Sequence, residues 1–110
     1  MTDADPTVLV ARADGDDVGY LIAYDRFGDG SYYVWMPGVV PAFRREGIMS
    51  ALLDRVTVIA AEQVYDELKI KTRNGRRAMR HLLVGEGFDV CGFDPVGDLE
   101  RHEIMHVRDL

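Results

Sequence analysis

The run Val39-Val40-Pro41-Ala42-Phe43-Arg44-Arg45-Glu46-Gly47-Ile48-Met49-Ser50-Ala51-Leu52-Leu53 constrains this chain more than any other segment. An apolar strand has to end at Pro41, because proline has no N–H to give to a sheet ladder. Beyond it, Ile48, Met49, Leu52, Leu53, Val56, Ile59 and Ala60 recur at helical spacing to about Gln63. The first-turn N–H groups of that helix have no intrahelical partner, and its dipole favours an anion beside them. Gly47 allows close backbone approach or an unusual dihedral, and Arg44 and Arg45 add positive charge. The segment predicts a phosphate cradle made of backbone at the start of the helix. The plain alternative is a strand, a basic turn and a helix with no ligand.

Length makes this one domain, 110 residues with a single core. Charge is more informative by position than in total. Residues 1–42 hold 2 basic and 7 acidic side chains, residues 43–85 hold 9 and 5, and residues 86–110 hold 2 and 7. No dominant basic face follows from this, so duplex nucleic acid is not the expected partner. A locally basic middle third suits a small polyphosphate, and acidic flanks suit a cationic substrate. One cysteine excludes an intrachain disulfide framework and fits a reducing compartment. No apolar run reaches membrane-spanning length, and the acidic start Met1-Thr2-Asp3-Ala4-Asp5-Pro6 does not read as a signal peptide. The expected location is the cytoplasm, without membrane contact.

Strands are expected at Thr7 to Ala13, Val18 to Tyr24 and Ser31 to Val40, joined by short turns as an antiparallel meander. After the helix from Ile48, the alternating run Leu68-Lys69-Ile70-Lys71-Thr72 predicts a strand. A second helix is expected from about Arg76 to Val84, stopped by Gly85 or Gly87. Phe88 to Phe93 and Glu100 to Val107 read as closing strands. The order βββ-α-β-α-β-β is an α+β arrangement with helices on a mostly antiparallel sheet.

Both the segment and the order resemble the GNAT superfamily of acetyl-CoA-dependent N-acetyltransferases. Its pyrophosphate motif is Arg/Gln-x-x-Gly-x-Gly/Ala; Arg44 and Gly47 match it, and Met49 departs. Val18-Gly19-Tyr20-Leu21 resembles the family's second central strand, Gly87-Phe88 the pair that closes its last helix, and Ile104 to Leu110 its final strand. The likeness runs from about Val8 to Leu110. The family's first strand and the two helices that usually precede this core are missing.

The resemblance implies acetyl-CoA as co-substrate. Val39 and Val40 would offer backbone to the pantetheine arm, and Arg44, Arg45, Glu46, Gly47, Ile48, Met49 and Ser50 would hold the pyrophosphate, mostly by amides. Asn74 and Arg76 lie near a position where the family has an Asn contacting the cofactor. The acid-base pair is harder to place. The tyrosine usually found five residues before the Phe of Gly-Phe is Leu83 here. The strand from Ser31 carries no Asp, Glu or His. His81 is the nearest titratable side chain in the helix, and a partly exposed helix-face histidine is the plainer description of it. Tyr20, Tyr24, Tyr32, Tyr33 and Trp35 are expected mainly in the core, with the acceptor cleft as the alternative.

His102-Glu103-Ile104-Met105-His106 spells the zinc-protease signature, whose chemistry needs a helix. Read as a strand, it puts the two histidines roughly 13 Å apart, so no metal is expected. Cys91 reads as a buried structural thiol. The expected function is transfer of acetyl from acetyl-CoA to a primary amine, small or on a protein. The alternative is a weakly catalytic, CoA-binding regulatory module acting through a partner. A homodimer is expected in either case.

Overall fold

A computed structural model describes residues 6–44 and 46–110. Three strands lead, β1 (Thr7–Ala13), β2 (Asp16–Tyr24) and β3 (Ser31–Val39). A 3-10 turn at Pro41–Phe43 and the helix α1 (Ile48–Glu62) follow. Then come β4 (Glu67–Arg73), α2 (Arg77–Gly85), β5 (Asp89–Asp94), a 3-10 turn at Leu99–Arg101 and β6 (Glu103–Asp109). The strands form one sheet in the order β1-β2-β3-β4-β6-β5. Among the described residues only β3 and β4 run parallel, joined by α1 as the crossover that parallel neighbours require. The expected α+β order is thus observed.

Alternation assigns the two faces of the sheet. Leu21 and Ala23 of β2, Tyr32 and Val34 of β3, and Leu68 and Ile70 of β4 are fully buried, or nearly so. They meet Leu52, Leu53, Val56 and Ala60 of α1, Leu83 of α2, and Phe88. Each buried aliphatic side chain is worth roughly 1.5–3 kcal/mol, so this layer holds the helices to the sheet. Arg108 of β6 ties the same layer together. Its guanidinium donates to the Glu86 carbonyl at 2.9 Å and to the Thr57 hydroxyl, over the Phe88 ring. On the other face, Val8, Val10, Tyr20 and Trp35 remain exposed.

Two expectations are corrected. The last strand begins at Glu103 rather than Glu100, because Asp98 accepts from the Arg101 N–H at 3.1 Å and winds Leu99–Arg101 into a turn. Cys91 is exposed rather than buried. It falls where the β5–β6 register slips between Val90 and Gly92, on the edge strand of the sheet, so no layer covers it. Among the described residues, no helix is long and apolar enough to cross a membrane.

Candidate functional site

The parallel rungs run from Ser31–Glu67 to Val34–Ile70 and stop. Beyond them, β3 continues on β2 to Val39 while β4 continues on β6 to Arg73. The two strands therefore splay and open a slot in the sheet. A cleft of about 220 Å³ fills it, lined by residues of β3, β4, β6 and the start of α2. Tyr33, Trp35, Lys71, Arg73 and Glu103 line it from the open face of the sheet, while Val34, Thr72 and Met79 line it from the helical side.

The start of α1 lies just after the same end of β3. Gly47 is its N-cap with φ +78°, a left-handed conformation that glycine adopts without strain. Its side-chain position is open, with no atom near. The first helical hydrogen bond runs from the Ala51 N–H to the Gly47 carbonyl at 3.0 Å. That leaves the Ile48, Met49 and Ser50 amides without intrahelical partners. No side chain caps them and no acidic residue stands in the first turn. These are the properties an anion cradle needs, so the site fits the pyrophosphate of a coenzyme.

The other residues singled out from the sequence are distributed unevenly. Arg44 is exposed and folds back so that its Nε donates to the Val39 carbonyl at 3.3 Å. The Val40 N–H is already given to the Val18 carbonyl at 2.8 Å, so that amide is not available to a ligand. Glu46 is exposed beside Gly47, and Arg45 lies outside the described residues. Arg76 is the N-cap of α2 and lines the slot. Asn74 does not line it. Its amide donates to the Leu99 carbonyl at 3.0 Å and its Oδ1 accepts from Arg80, which pins the β4–α2 turn. His81 is exposed and is not among the slot residues. Leu83 is fully buried in the core.

Of the five aromatics, Tyr32 is core, Tyr20 and Trp35 are exposed, Tyr24 is half-buried and edge-on to Tyr33 at 5.9 Å, and Tyr33 is both buried and part of the slot. Burial pushes the Tyr33 phenol above its ordinary pKa, against the pull of the Arg26 guanidinium stacked 4.9 Å from its ring. The phenol therefore stays protonated at neutral pH. The Thr72 hydroxyl is buried with no hydrogen-bond partner among the described residues, an arrangement that costs about 1–3 kcal/mol unless a ligand completes it.

Glu103 was not recognised as a site residue from sequence. In sequence it is only the second residue of the His-Glu-x-x-His spelling, and the antiparallel pairing of Arg73 with Glu103 is what brings it to the slot. The two histidines have different surroundings, since His106 lies in β6 and His102 ends the 3-10 turn before it. His106 is buried, and His102 packs edge-on against Phe93 at 5.4 Å between ring centres.

The model of the acetyltransferase (GNAT) family matches residues 1–88. No protein of curated function matches the sequence. Solved structures share the fold. An IAA acetyltransferase from Bacillus cereus ATCC 14579 is 18% identical with a TM-score of 0.87, over 96% of this chain and 78% of that one. A GNAT family acetyltransferase from Elizabethkingia anophelis with acetyl-CoA bound is 19% identical at TM-score 0.83, over 96% and 76%. A ribosomal-protein-alanine N-acetyltransferase from Brucella melitensis is 26% identical at TM-score 0.81, over 96% and 69%.

Proposed function

This chain belongs to the acetyltransferase (GNAT) family, and we propose that it moves the acetyl group of acetyl-CoA to a primary amine by direct attack in a ternary complex. The observation that carries this reading is a coincidence of two features. An uncapped helix N-terminus and a splayed strand pair sit at the same end of β3.

In this reading the Ile48, Met49 and Ser50 amides hold the pyrophosphate, with the Ser50 hydroxyl, Arg44 and Arg45 adding to them. Glu46 and Gly47 shape the turn, Val39 guides the pantetheine arm with its backbone while Val40, its N–H given to Val18, borders the arm with its side chain only, and Arg76 stands at the mouth of the slot. Asn74 serves by fixing the turn that carries Arg76. The bound co-substrate supplies an activated thioester. A neutral amine then forms the new N–C bond as the C–S bond breaks, CoA leaves as its thiolate, and the proton lost by the amine passes to water. The slot contributes by orienting two reactants and excluding water. No acid in α2 protonates the leaving thiolate, because Leu83 occupies that position.

Acetyl-CoA, a panel of amines and detection of released thiol test this reading. For an acceptor with pKa near 10, the neutral fraction rises about tenfold per pH unit. The logarithm of kcat/KM should therefore climb with roughly unit slope across about pH 6 to 9. A bell-shaped profile would show a true acid-base pair, and His81→Ala would be the first variant made to find it. Binding of acetyl-CoA without turnover of any amine would move the conclusion to a CoA-binding regulatory module.

The reading also includes a cytoplasmic homodimer. Val8, Val10, Tyr20 and Trp35 form an apolar stretch on the sheet face that carries no helix, and a second copy is the commonest cover for such a face. Light scattering should give a mass near twice 12.4 kDa; a monomer at micromolar concentration would refute the dimer.

A further inference from the structure

The charges that line the slot are unbalanced. Lys71, Arg73 and Arg76 face a single carboxylate, Glu103. Among the described residues, neither Arg73 nor Arg76 makes an ion pair or a side-chain hydrogen bond. Lys71 Nζ stands 3.5 Å from Glu103 Oε1, well beyond the roughly 2.7–2.9 Å of a charge-assisted hydrogen bond. Both side chains are about one-third exposed, so this loose pair remains open to exchange. Tyr33 and Trp35 stand across the slot as an aromatic wall.

A polyamine entering this slot meets an excess of two positive charges and one carboxylate to bind. A zwitterion meets complementary partners at both ends. Its ammonium takes Glu103, and its carboxylate takes Lys71 and the uncommitted fork of Arg73. The unpaired cations then act against the wrong acceptor as well as for the right one. The local lining, rather than the charge of the whole chain, is what an acceptor meets.

Building on the acetyl-transfer reading, we propose that the acceptor is a small amine bearing its own carboxylate, of amino-acid type, and that Lys71 and Glu103 select it by exchanging their mutual ion pair for its two charges. The experiment compares each amino acid with its decarboxylated amine, for example phenylalanine with 2-phenylethylamine, and includes spermidine. Thiol release gives kcat/KM. The melting temperature of CoA-loaded protein with each compound gives binding without turnover.

At least one amino acid should exceed its decarboxylated partner by tenfold or more in kcat/KM, and it alone should raise the melting temperature. Lys71→Met should reduce that ratio to near one through KM for the amino acid. Glu103→Gln should raise KM for both members of the pair. Acetylation of decarboxylated amines or spermidine as fast as any amino acid overturns this proposal alone. An unchanged ratio in Lys71→Met does the same. Absence of thiol release with every amine overturns the acetyl-transfer reading and this proposal with it.

Discussion

A Cβ built on Gly19 would lie 2.9 Å from Cγ2 of Ile48, so the first residue of α1 rests against bare backbone of β2. This contact sets how closely the helix N-terminus approaches the sheet, and with it the position of the cradle. The Gly38 carbonyl, 3.3 Å from the same point, leaves little space to yield. Gly19→Val should cost about 1–3 kcal/mol of stability through overpacking. Calorimetry should show weaker acetyl-CoA binding, even though position 19 is not itself part of the cradle.

Thr72 separates a ligand contact from a structural one. Its orphan hydroxyl gains nothing in the free protein, so Thr72→Val should leave the unliganded melting temperature unchanged or raise it. The increment produced by saturating acetyl-CoA should shrink. Thr72→Ser should restore that increment. A large loss of stability in the free variant would show that the hydroxyl has a folding role instead.

Both helices end in the same hydrogen-bond pattern with different residues at its left-handed position. In α2, Gly87 has φ +87°, its N–H donates to the Val84 carbonyl, and the Phe88 N–H donates to the Leu83 carbonyl. In α1, the Val64 N–H donates to the Ala61 carbonyl and the Tyr65 N–H to the Ala60 carbonyl, but Val64 carries φ 65°. A β-branched side chain is strained there by roughly 1–2 kcal/mol. Val64 is 85% exposed and buries little. Val64→Gly should therefore stabilise the protein by about 1 kcal/mol, raising the melting temperature by roughly 4–8 °C.

His106 predicts an acid limb of stability. Burial lowers its pKa, and the positive charge of Arg80 acts in the same direction. The unfolded chain therefore takes up a proton near pH 6.5, while the folded chain resists until a lower pH. Stability contributed by the neutral, buried ring is complete above about pH 6.5. It falls as pH drops toward the folded pKa, by up to about 1.4 kcal/mol per unit. Denaturant titrations of His106→Leu should show a shallower decline below pH 6.5 than the wild type does.

Much of the fold was legible because the hydrophobic period changes cleanly, from alternation through Val18–Tyr24 to helical spacing after Ile48. The turn and helix start proposed as the cradle were legible for a local reason: Pro41, Gly47 and the start of α1 are contiguous, so local chemistry specifies their geometry. The slot was not. Tyr33, Lys71, Met79 and Glu103 come from four elements, and only the register of β4 on β6 sets Glu103 opposite Arg73. The exposure of Cys91 depends on a register slip against β6, which no local pattern around Phe88 and Phe93 encodes. Val40 and Asn74 are instructive in the opposite way. Their residue types suit a ligand, yet their polar groups are used by Val18, Leu99 and Arg80.

The central claim is that the start of α1 binds the pyrophosphate of acetyl-CoA, and Gly47 tests it most directly. An Asp there meets open space, and Asp tolerates the left-handed conformation better than most residues. Its carboxylate accepts from the first-turn amides and opposes a bound anion. Calorimetric titration with acetyl-CoA should show at least about tenfold weaker binding for Gly47→Asp than for wild type, equivalent to about 1.4 kcal/mol, with Gly47→Asn in between and all three melting cooperatively. Equal affinity of Gly47→Asp and wild type would contradict the account.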